Sequence, residues 1–254
     1  MSHVDEKINE LVREGYFLLK NVVPCELVDE IKNVISHELV HMGAYQEHTF
    51  EEQYLTLFDR MNPYDLNKKL MRMIVASEMA LRILRIPEVL NCLVKVIGAD
   101  LAYETSCELP VSVQGIKNDS LELFRNPSFS SFRSALALKQ STESWIATSA
   151  PPPRDDDSIG FERALLVKKF HQEFWSGAGY RSFVVWAPMV LPEGAGTLEL
   201  IKKSHTWGHI PHCNREPTQL PNDAESVIVD CHEGDLLIFH SLTLHRTVPN
   251  PDIS

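Results

Sequence analysis

The chain has 254 residues, of which 44% are hydrophobic and 23% charged, and its formal net charge is −11. These values are ordinary for a soluble globular protein, and the length suits one large domain or a core with a helical extension. The negative charge and the lack of a Lys/Arg-rich run argue against nucleic acid or an anionic membrane as the main partner.

The N-terminal segment and the cysteines favour a cytoplasmic protein. Residues 1–10 are polar and charged, so they lack the apolar core of a signal peptide. The most apolar windows are too short to span a bilayer. The five cysteines contain no C-x-x-C pair, which favours reduced thiols.

Residues 1–100 are predicted to be mainly helical. A short helix over Asp5–Glu14 stops at a glycine, and the β-prone run Tyr16–Val23 suits a strand. Apolar residues at helical spacing predict a second helix from Pro24 to the glycine at position 43. Two further helices are predicted over Asp65–Arg85 and Pro87–Ile97.

After Leu101 the pattern changes to short β-prone runs separated by Gly, Pro and Asn. The clearest strands are Arg181–Val190, Thr197–Ile201, Ser226–Asp230, Asp235–Phe239 and Leu242–Val248. A helical front followed by short antiparallel strands predicts a β-sandwich or jelly-roll core braced by helices. Residues 115–162 fit neither pattern and are rich in Ser and Pro, which is typical of a functional lid or of a disordered excursion; we predict a mobile lid over the functional site.

One short motif carries possible metal chemistry. His171 and Glu173 flank Gln172 and follow the β-prone run Leu165–Phe170. Residues i and i+2 of a strand face the same way, so the imidazole and the carboxylate would share a face. With a further histidine from a distant strand they would form the two-His, one-carboxylate triad of non-haem Fe(II) oxygenases. H-x-E alone is a weak signal.

Four motifs follow one another along the chain: REGYFLLKNVVPCELVDEIK at 13–32, HQE at 171–173, VVWAPMVLPEGAGTLELIKKSHTWG at 184–208 and EGDLLIFHSLTLHRTVPN at 233–250. In this order they resemble the motifs of the phytanoyl-CoA dioxygenase family of Fe(II)/2-oxoglutarate oxygenases. The resemblance covers both ends of the chain and leaves the middle unmatched. It implies a double-stranded β-helix, a cupin-like jelly roll, with N-terminal helices in a single domain over residues 1–254.

The resemblance also implies roles for particular residues. It makes His245 the third metal ligand, with His240 as the competitor, which we expect to be a satisfied histidine at a strand end. It places Thr247, Trp186 and Gln172 at the 2-oxoglutarate site, although core packing is an equal alternative for Trp186. Of the other histidines, His205 is expected to be structural, and His209, His212 and His232 are expected to be solvated loop residues.

The chain departs from the family pattern at two points. Glu173 stands where the family usually has Asp, which raises the alternative of a non-catalytic relative that binds a small ligand or a metal. The family's Arg, which pairs with the distal carboxylate of 2-oxoglutarate, is expected beyond Ser254, together with the last core strand. Arg246 should point to the opposite face, and the other basic candidates are Lys117, Lys139 and Arg181.

Together these features predict an Fe(II)- and 2-oxoglutarate-dependent dioxygenase, most simply a hydroxylase of a small molecule that consumes O₂. A different metal-dependent β-barrel protein, such as a cupin-like isomerase or a zinc hydrolase, is a further alternative. Neither the substrate nor the oligomeric state is legible in the sequence.

Overall fold

A computed structural model describes residues 2–58, 60–61, 63–99, 169–173, 182–191, 197–213 and 216–248. The predicted lid at 115–162 lies outside the described residues, as do Lys117, Lys139 and Arg181. Within the described part, no helix is both long and apolar enough to cross a membrane.

Six helices are described in the N-terminal part of the chain. They are α1 (His3–Glu14), α2 (Cys25–His41), α3 (Phe50–Phe58), α4 (Pro63–Ala76), α5 (Met79–Leu84) and α6 (Pro87–Ile97). The strands are β1 (Tyr16–Leu19), β2 (Phe183–Trp186), β3 (Leu198–Ile201), β4 (His212–Cys213), β5 (Glu216–Pro217), β6 (Ser226–Ile228), β7 (Leu236–His240) and β8 (His245–Thr247). A 3₁₀ turn spans Ser204–Trp207.

Helix α1 shows how local sequence sets an element's ends. The Ser2 hydroxyl accepts from the Asp5 N–H at 3.2 Å, and the Asp5 carboxylate accepts from the Ser2 N–H at 3.0 Å, which is a reciprocal capping box. Gly15 ends the helix at φ +90°, a conformation that costs glycine little. A Cβ on Gly15 would lie 2.5 Å from His205 Nδ1 and 2.8 Å from Thr243 Oγ1, so glycine also permits close approach there.

Two three-stranded antiparallel sheets account for most of the strands among the described residues. The first has the order β1-β7-β2, so β7 lies between two strands that precede it in sequence. The second has the order β6-β3-β8. Strands β4 and β5 form a separate two-stranded hairpin.

The alternation of side chains in the first sheet separates two apolar clusters. Along β7, Leu236 and Ile238 face the helices, whereas Leu237 and Phe239 face the second sheet. There they join buried residues of the second sheet such as Leu200. The described part therefore has three layers, helices, first sheet and second sheet, with an apolar cluster in each interface.

The structure confirms the general organisation and corrects several boundaries. The helix predicted over Asp65–Arg85 is two helices, because Glu78 adopts a left-handed backbone at φ 59°. Helix α3 was not predicted. The predicted strands exist, and most are shorter than expected because only some of their residues form ladders. The strand predicted over Asp235–Phe239 keeps its length and is shifted by one residue.

Candidate metal centre

Backbone pairing brings the two candidate histidines together. His171 and His245 exchange both of their backbone hydrogen bonds, at 3.0 and 3.1 Å, as an antiparallel bridge. The Glu173 N–H donates to the carbonyl oxygen of Ser241 at 2.9 Å. His245, the first residue of β8, and Ser241, four residues before it, thus hold the H-x-E segment against the start of that strand.

Three side chains converge at this point. One ligand atom from each of His171, Glu173 and His245 lies within 4.8 Å of the others. Glu173 Oε1 is 3.1 Å from Nε2 of His171 and 3.6 Å from Nε2 of His245. Both histidines are buried, whereas 21% of the Glu173 side chain remains exposed. One side of the cluster is therefore open.

The second ring nitrogen of each histidine is held by a backbone carbonyl. Nδ1 of His171 lies 2.7 Å from the Lys169 carbonyl oxygen, and Nδ1 of His245 lies 2.9 Å from that of Thr243. A carbonyl oxygen can only accept, so each Nδ1 carries the proton. In the neutral ring, Nε2 is then the lone-pair nitrogen, and it is Nε2 that faces Glu173.

The electrostatic setting also favours a neutral imidazole. Burial lowers the pKa of His245, a positive charge on His171 lowers it further, and Glu173 opposes both effects. A metal ion binds the neutral ring, so the lowered pKa extends metal-binding competence to more acidic pH.

These donors fit a divalent transition metal. Ligand atoms about 2.1 Å from an ion, at right angles to one another, are about 3 Å apart, close to the 3.1 and 3.6 Å that separate Glu173 Oε1 from the two Nε2 atoms. Two imidazoles and one carboxylate on one face leave positions for further ligands. Nothing in the donor set distinguishes iron from zinc.

Gln172 lies in the same segment but makes a different set of contacts. It is fully buried, and its Nε2 donates to the carbonyl oxygens of Gly208 at 2.9 Å and Leu242 at 2.8 Å. Its Oε1 accepts from the Ile210 N–H at 3.0 Å. Because both amide protons are used by the backbone, these contacts favour a structural tie, and the predicted contact with 2-oxoglutarate stays a prediction.

The roles predicted for Thr247 and Trp186 at the 2-oxoglutarate site stay predictions, and the structure gives the positions of both residues. Thr247 follows His245 by two residues on β8, and both are less exposed than Arg246 between them. Trp186 belongs to the apolar cluster between the sheets. Phe239 of that cluster has its ring centroid 4.6 Å from that of His245, so this cluster borders the three candidate ligands.

Arg246 points away from the cluster, as predicted. Its Nε donates to Glu199 Oε2 at 2.6 Å, and its guanidinium lies 4.6 Å from the Phe170 ring centroid. It is therefore engaged elsewhere and does not face a ligand bound at His245.

The remaining histidines follow the predictions with one exception. His240 Nδ1 accepts from the Leu242 N–H at 3.1 Å, so it caps the turn after β7. His205 donates to the Val12 carbonyl oxygen at 3.2 Å, a structural contact, and His232 is exposed. His212 is half-buried on β4, so its assignment as a solvated loop residue is wrong. Burial lowers its pKa, and positive charge on His209 or His171 adds to the effect.

Sequence reasoning missed the polar residues that support the ligands. Ser204 is fully buried, and its hydroxyl accepts from the Leu244 N–H beside His245 at 2.8 Å. Ser204 and His205 lie within the motif at 184–208 that carries the family resemblance, so their position in that motif was the available signal. Ser241, whose carbonyl oxygen holds Glu173, carries no sequence signal.

Comparison with known proteins gives one family match. The model of the phytanoyl-CoA dioxygenase (PhyH) family matches residues 170–251, which is 82 of the 254 residues and includes all three candidate ligands. No curated protein matches the chain.

Two solved structures resemble the chain at low identity. One is the epimerase SnoN in complex with Fe³⁺, alpha ketoglutarate and nogalamycin RO, with 12% identity and a TM-score of 0.47, covering 99% of this chain and 79% of SnoN. The other is the non-heme alpha ketoglutarate dependent epimerase SnoN from nogalamycin biosynthesis, with 11% identity and a TM-score of 0.47, covering 98% and 77%. At this level the likeness supports no conclusion about this chain.

The family match and the motifs concern the same residues, so the predicted resemblance to the phytanoyl-CoA dioxygenase family is confirmed over residues 170–251.

Proposed function

We propose that this chain is an Fe(II)- and 2-oxoglutarate-dependent oxygenase that hydroxylates a small organic molecule. The observation that carries the proposal is the convergence of one ligand atom each from His171, Glu173 and His245 within 4.8 Å. The family match over the same segment supports iron over other metals.

The pairing of the strands supports the finer fold assignment. His171 pairs with β8, β2 with β7, and β3 with β6, all antiparallel, and the pairs are shared between two facing sheets. This nesting of early with late strands is what a double-stranded β-helix requires. We therefore propose one oxygenase domain with a jelly-roll core and N-terminal helices.

The reaction we propose consumes 2-oxoglutarate, O₂ and a substrate C–H group, and yields succinate, CO₂ and the hydroxylated product. An iron ion held by His171, Glu173 and His245 would supply the redox chemistry, with 2-oxoglutarate as the source of two electrons. The protein supplies positioning and shielding. His171 and His245 present Nε2, Glu173 adds a negative charge, and the apolar cluster with Phe239 keeps water from the buried side.

Two residues have proposed roles towards 2-oxoglutarate. Thr247 follows His245 by two residues, and its hydroxyl would donate to a carboxylate oxygen. Trp186 would form part of the wall on the sheet side. The predicted basic partner of the distal carboxylate is not among these residues, and Arg246 is engaged by Glu199 on the other face.

Metal analysis tests the ligand set. Wild-type protein is loaded with Fe(II) without oxygen and compared with Ala variants at His171, Glu173 and His245, and with His240→Ala as the matched control. We expect each of the three variants to lose the metal and the control to keep it. Full iron occupancy in His245→Ala would refute the assignment.

Turnover tests the reaction class. We expect the iron-loaded wild type to form succinate from 2-oxoglutarate and O₂. A protein that binds iron but forms no succinate would instead be the non-catalytic relative. Glu173 in place of the family's usual Asp is the feature that favours this alternative.

A further inference from the structure

We infer that Ser204 is a positioning residue for His245: its hydroxyl holds the peptide group whose carbonyl oxygen orients the His245 ring. The inference rests on the proposed function for its consequence, since the ring matters most as a metal ligand. Nothing in the sequence motifs assigns Ser204 this role.

The argument starts from one peptide group, that between Thr243 and Leu244. Its carbonyl oxygen, on Thr243, accepts from Nδ1 of His245 at 2.9 Å. Its N–H, on Leu244, donates to the Ser204 hydroxyl oxygen at 2.8 Å. Because a peptide group is planar and rigid, fixing its N–H end also fixes the direction of its carbonyl oxygen.

Ser204 is itself fixed in place. Its hydroxyl donates to the Ile201 carbonyl oxygen at 2.7 Å, and its side chain is fully buried. Its proton is thereby committed, so the oxygen's lone pairs face the Leu244 N–H. These hydrogen bonds form a relay that runs from the end of β3 through the Ser204 hydroxyl to the Thr243–Leu244 peptide group, and from there to the His245 ring.

The neighbouring contacts leave this one peptide dependent on Ser204. The Thr243 hydroxyl is bonded to the Gly15 carbonyl oxygen at 2.8 Å, and the Leu244 carbonyl oxygen accepts from the Ile201 N–H at 2.8 Å. These bonds hold the groups on either side of the peptide. Without Ser204, the Leu244 N–H would have lost its acceptor in the buried interior, and the peptide would tilt to find another.

A tilt of the Thr243–Leu244 peptide group would change the ability of His245 Nε2 to bind a metal ion. The Thr243 carbonyl oxygen selects the ring form with the proton on Nδ1, which leaves Nε2 as the nitrogen that can bind an ion. A weaker contact would populate the other form and loosen the ring. Partners of this kind typically change metal affinity by about 10–100-fold, and we expect about tenfold for a residue one step further from the ion.

The test compares Ser204→Ala with Thr206→Ala. Thr206 lies in the same 3₁₀ turn, and its hydroxyl donates to the Lys203 carbonyl oxygen at 2.7 Å, but it is exposed and away from the relay. Zn²⁺ serves as a redox-inert probe, with its affinity measured by competition with a chelator. We expect a loss of about tenfold in Ser204→Ala and none in Thr206→Ala.

A spectroscopic readout separates positioning from mere stability. Nitrogen-15 NMR of the histidine rings reports which nitrogen carries the proton. We expect the wild type to show His245 protonated on Nδ1, and Ser204→Ala to show a mixture. Ser204→Cys, which keeps the volume but is a weak acceptor, replaces the Ala variant if that protein does not fold.

One result would overturn the inference, and another would separate its failure from that of the proposed function. Unchanged Zn²⁺ affinity and an unchanged His245 ring form in the Ser204 variant would overturn the inference, even if the variant is less stable. If the wild type binds no metal, the proposed function fails, and the ring form of His245 in metal-free protein still decides the role of Ser204.

Discussion

Replacing Gln172 by Leu separates a structural role from a role in binding 2-oxoglutarate. Leucine nearly fills the same space, so the change removes hydrogen bonds without opening a cavity. Three backbone groups, at Gly208, Ile210 and Leu242, lose their hydrogen bonds to the Gln172 amide. The backbone groups of Gly208 and Ile210 belong to half-buried residues, so water can partly reach them, whereas Leu242 is buried.

The expected loss of stability follows from how exposed these backbone groups are. An unpaired buried polar group costs about 1–3 kcal/mol, and the two half-buried groups cost less, so the free energy of unfolding should fall by about 3 kcal/mol in total. In a chain of this size that corresponds to a drop in Tm of roughly 6–12 °C. Chemical denaturation with urea and calorimetry measure both quantities.

A matched control is Gln46→Leu, which changes an exposed glutamine in the same way. It should leave the Tm nearly unchanged. If Gln172→Leu were as stable as the wild type but bound 2-oxoglutarate much more weakly in the metal-loaded protein, the structural reasoning would be refuted. Gln172 would then be the co-substrate contact that the family resemblance implies.

Three further predictions concern residues outside the metal centre. Burial alone would raise the pKa of Asp235, but the N–H groups of Asn21 and His232 and the Lys20 ammonium outweigh it and lower that pKa. Asp235→Ala should therefore cost about 3 kcal/mol of unfolding free energy at pH 7, and the gap to wild type in urea denaturation should narrow below about pH 4; a gap that stays constant would contradict this. Burial raises the pKa of Cys231 to about 12, so a thiol reagent at pH 8 should label the exposed Cys213 before Cys231, as followed by mass spectrometry. Equal labelling of the two cysteines would contradict this prediction. Gly15→Ala should lower the Tm, because an alanine at φ +90° is strained and its Cβ would meet Thr243 Oγ1 at 2.8 Å; an unchanged Tm would show that the segment can shift.

Elements with clear local signals could be predicted, and contacts set by distant backbone could not. Helix α6 was predicted with the same first and last residues that the structure shows, because a proline begins it and a glycine follows its last residue. His171 and Glu173 could be placed on one side by strand geometry, and His245 by the family motif. The carbonyl contacts that orient the rings were not predictable, because they depend on backbone direction and not on residue type.

The same limit applies to polar residues in the interior. Gln172 was assigned to the co-substrate from its place in the motif, yet its three partners come from two loops more than thirty positions away in sequence. Glu78 has no helix-breaking character, so the division of the predicted helix Asp65–Arg85 could not be read from the pattern. In both cases tertiary packing decided what the local sequence left open.

The strand order β1-β7-β2 has a consequence for how the protein is made. The central strand β7 is synthesised after both of its neighbours, and Gly15 contacts Thr243 across 228 positions. During translation the ribosome therefore releases two strand edges before their common partner exists, and such edges invite misassociation. Contacts of such long range also slow folding. His245 follows β7, so the metal centre matures only after this closure, and a nascent chain shorter than about 245 residues has no complete site to metallate.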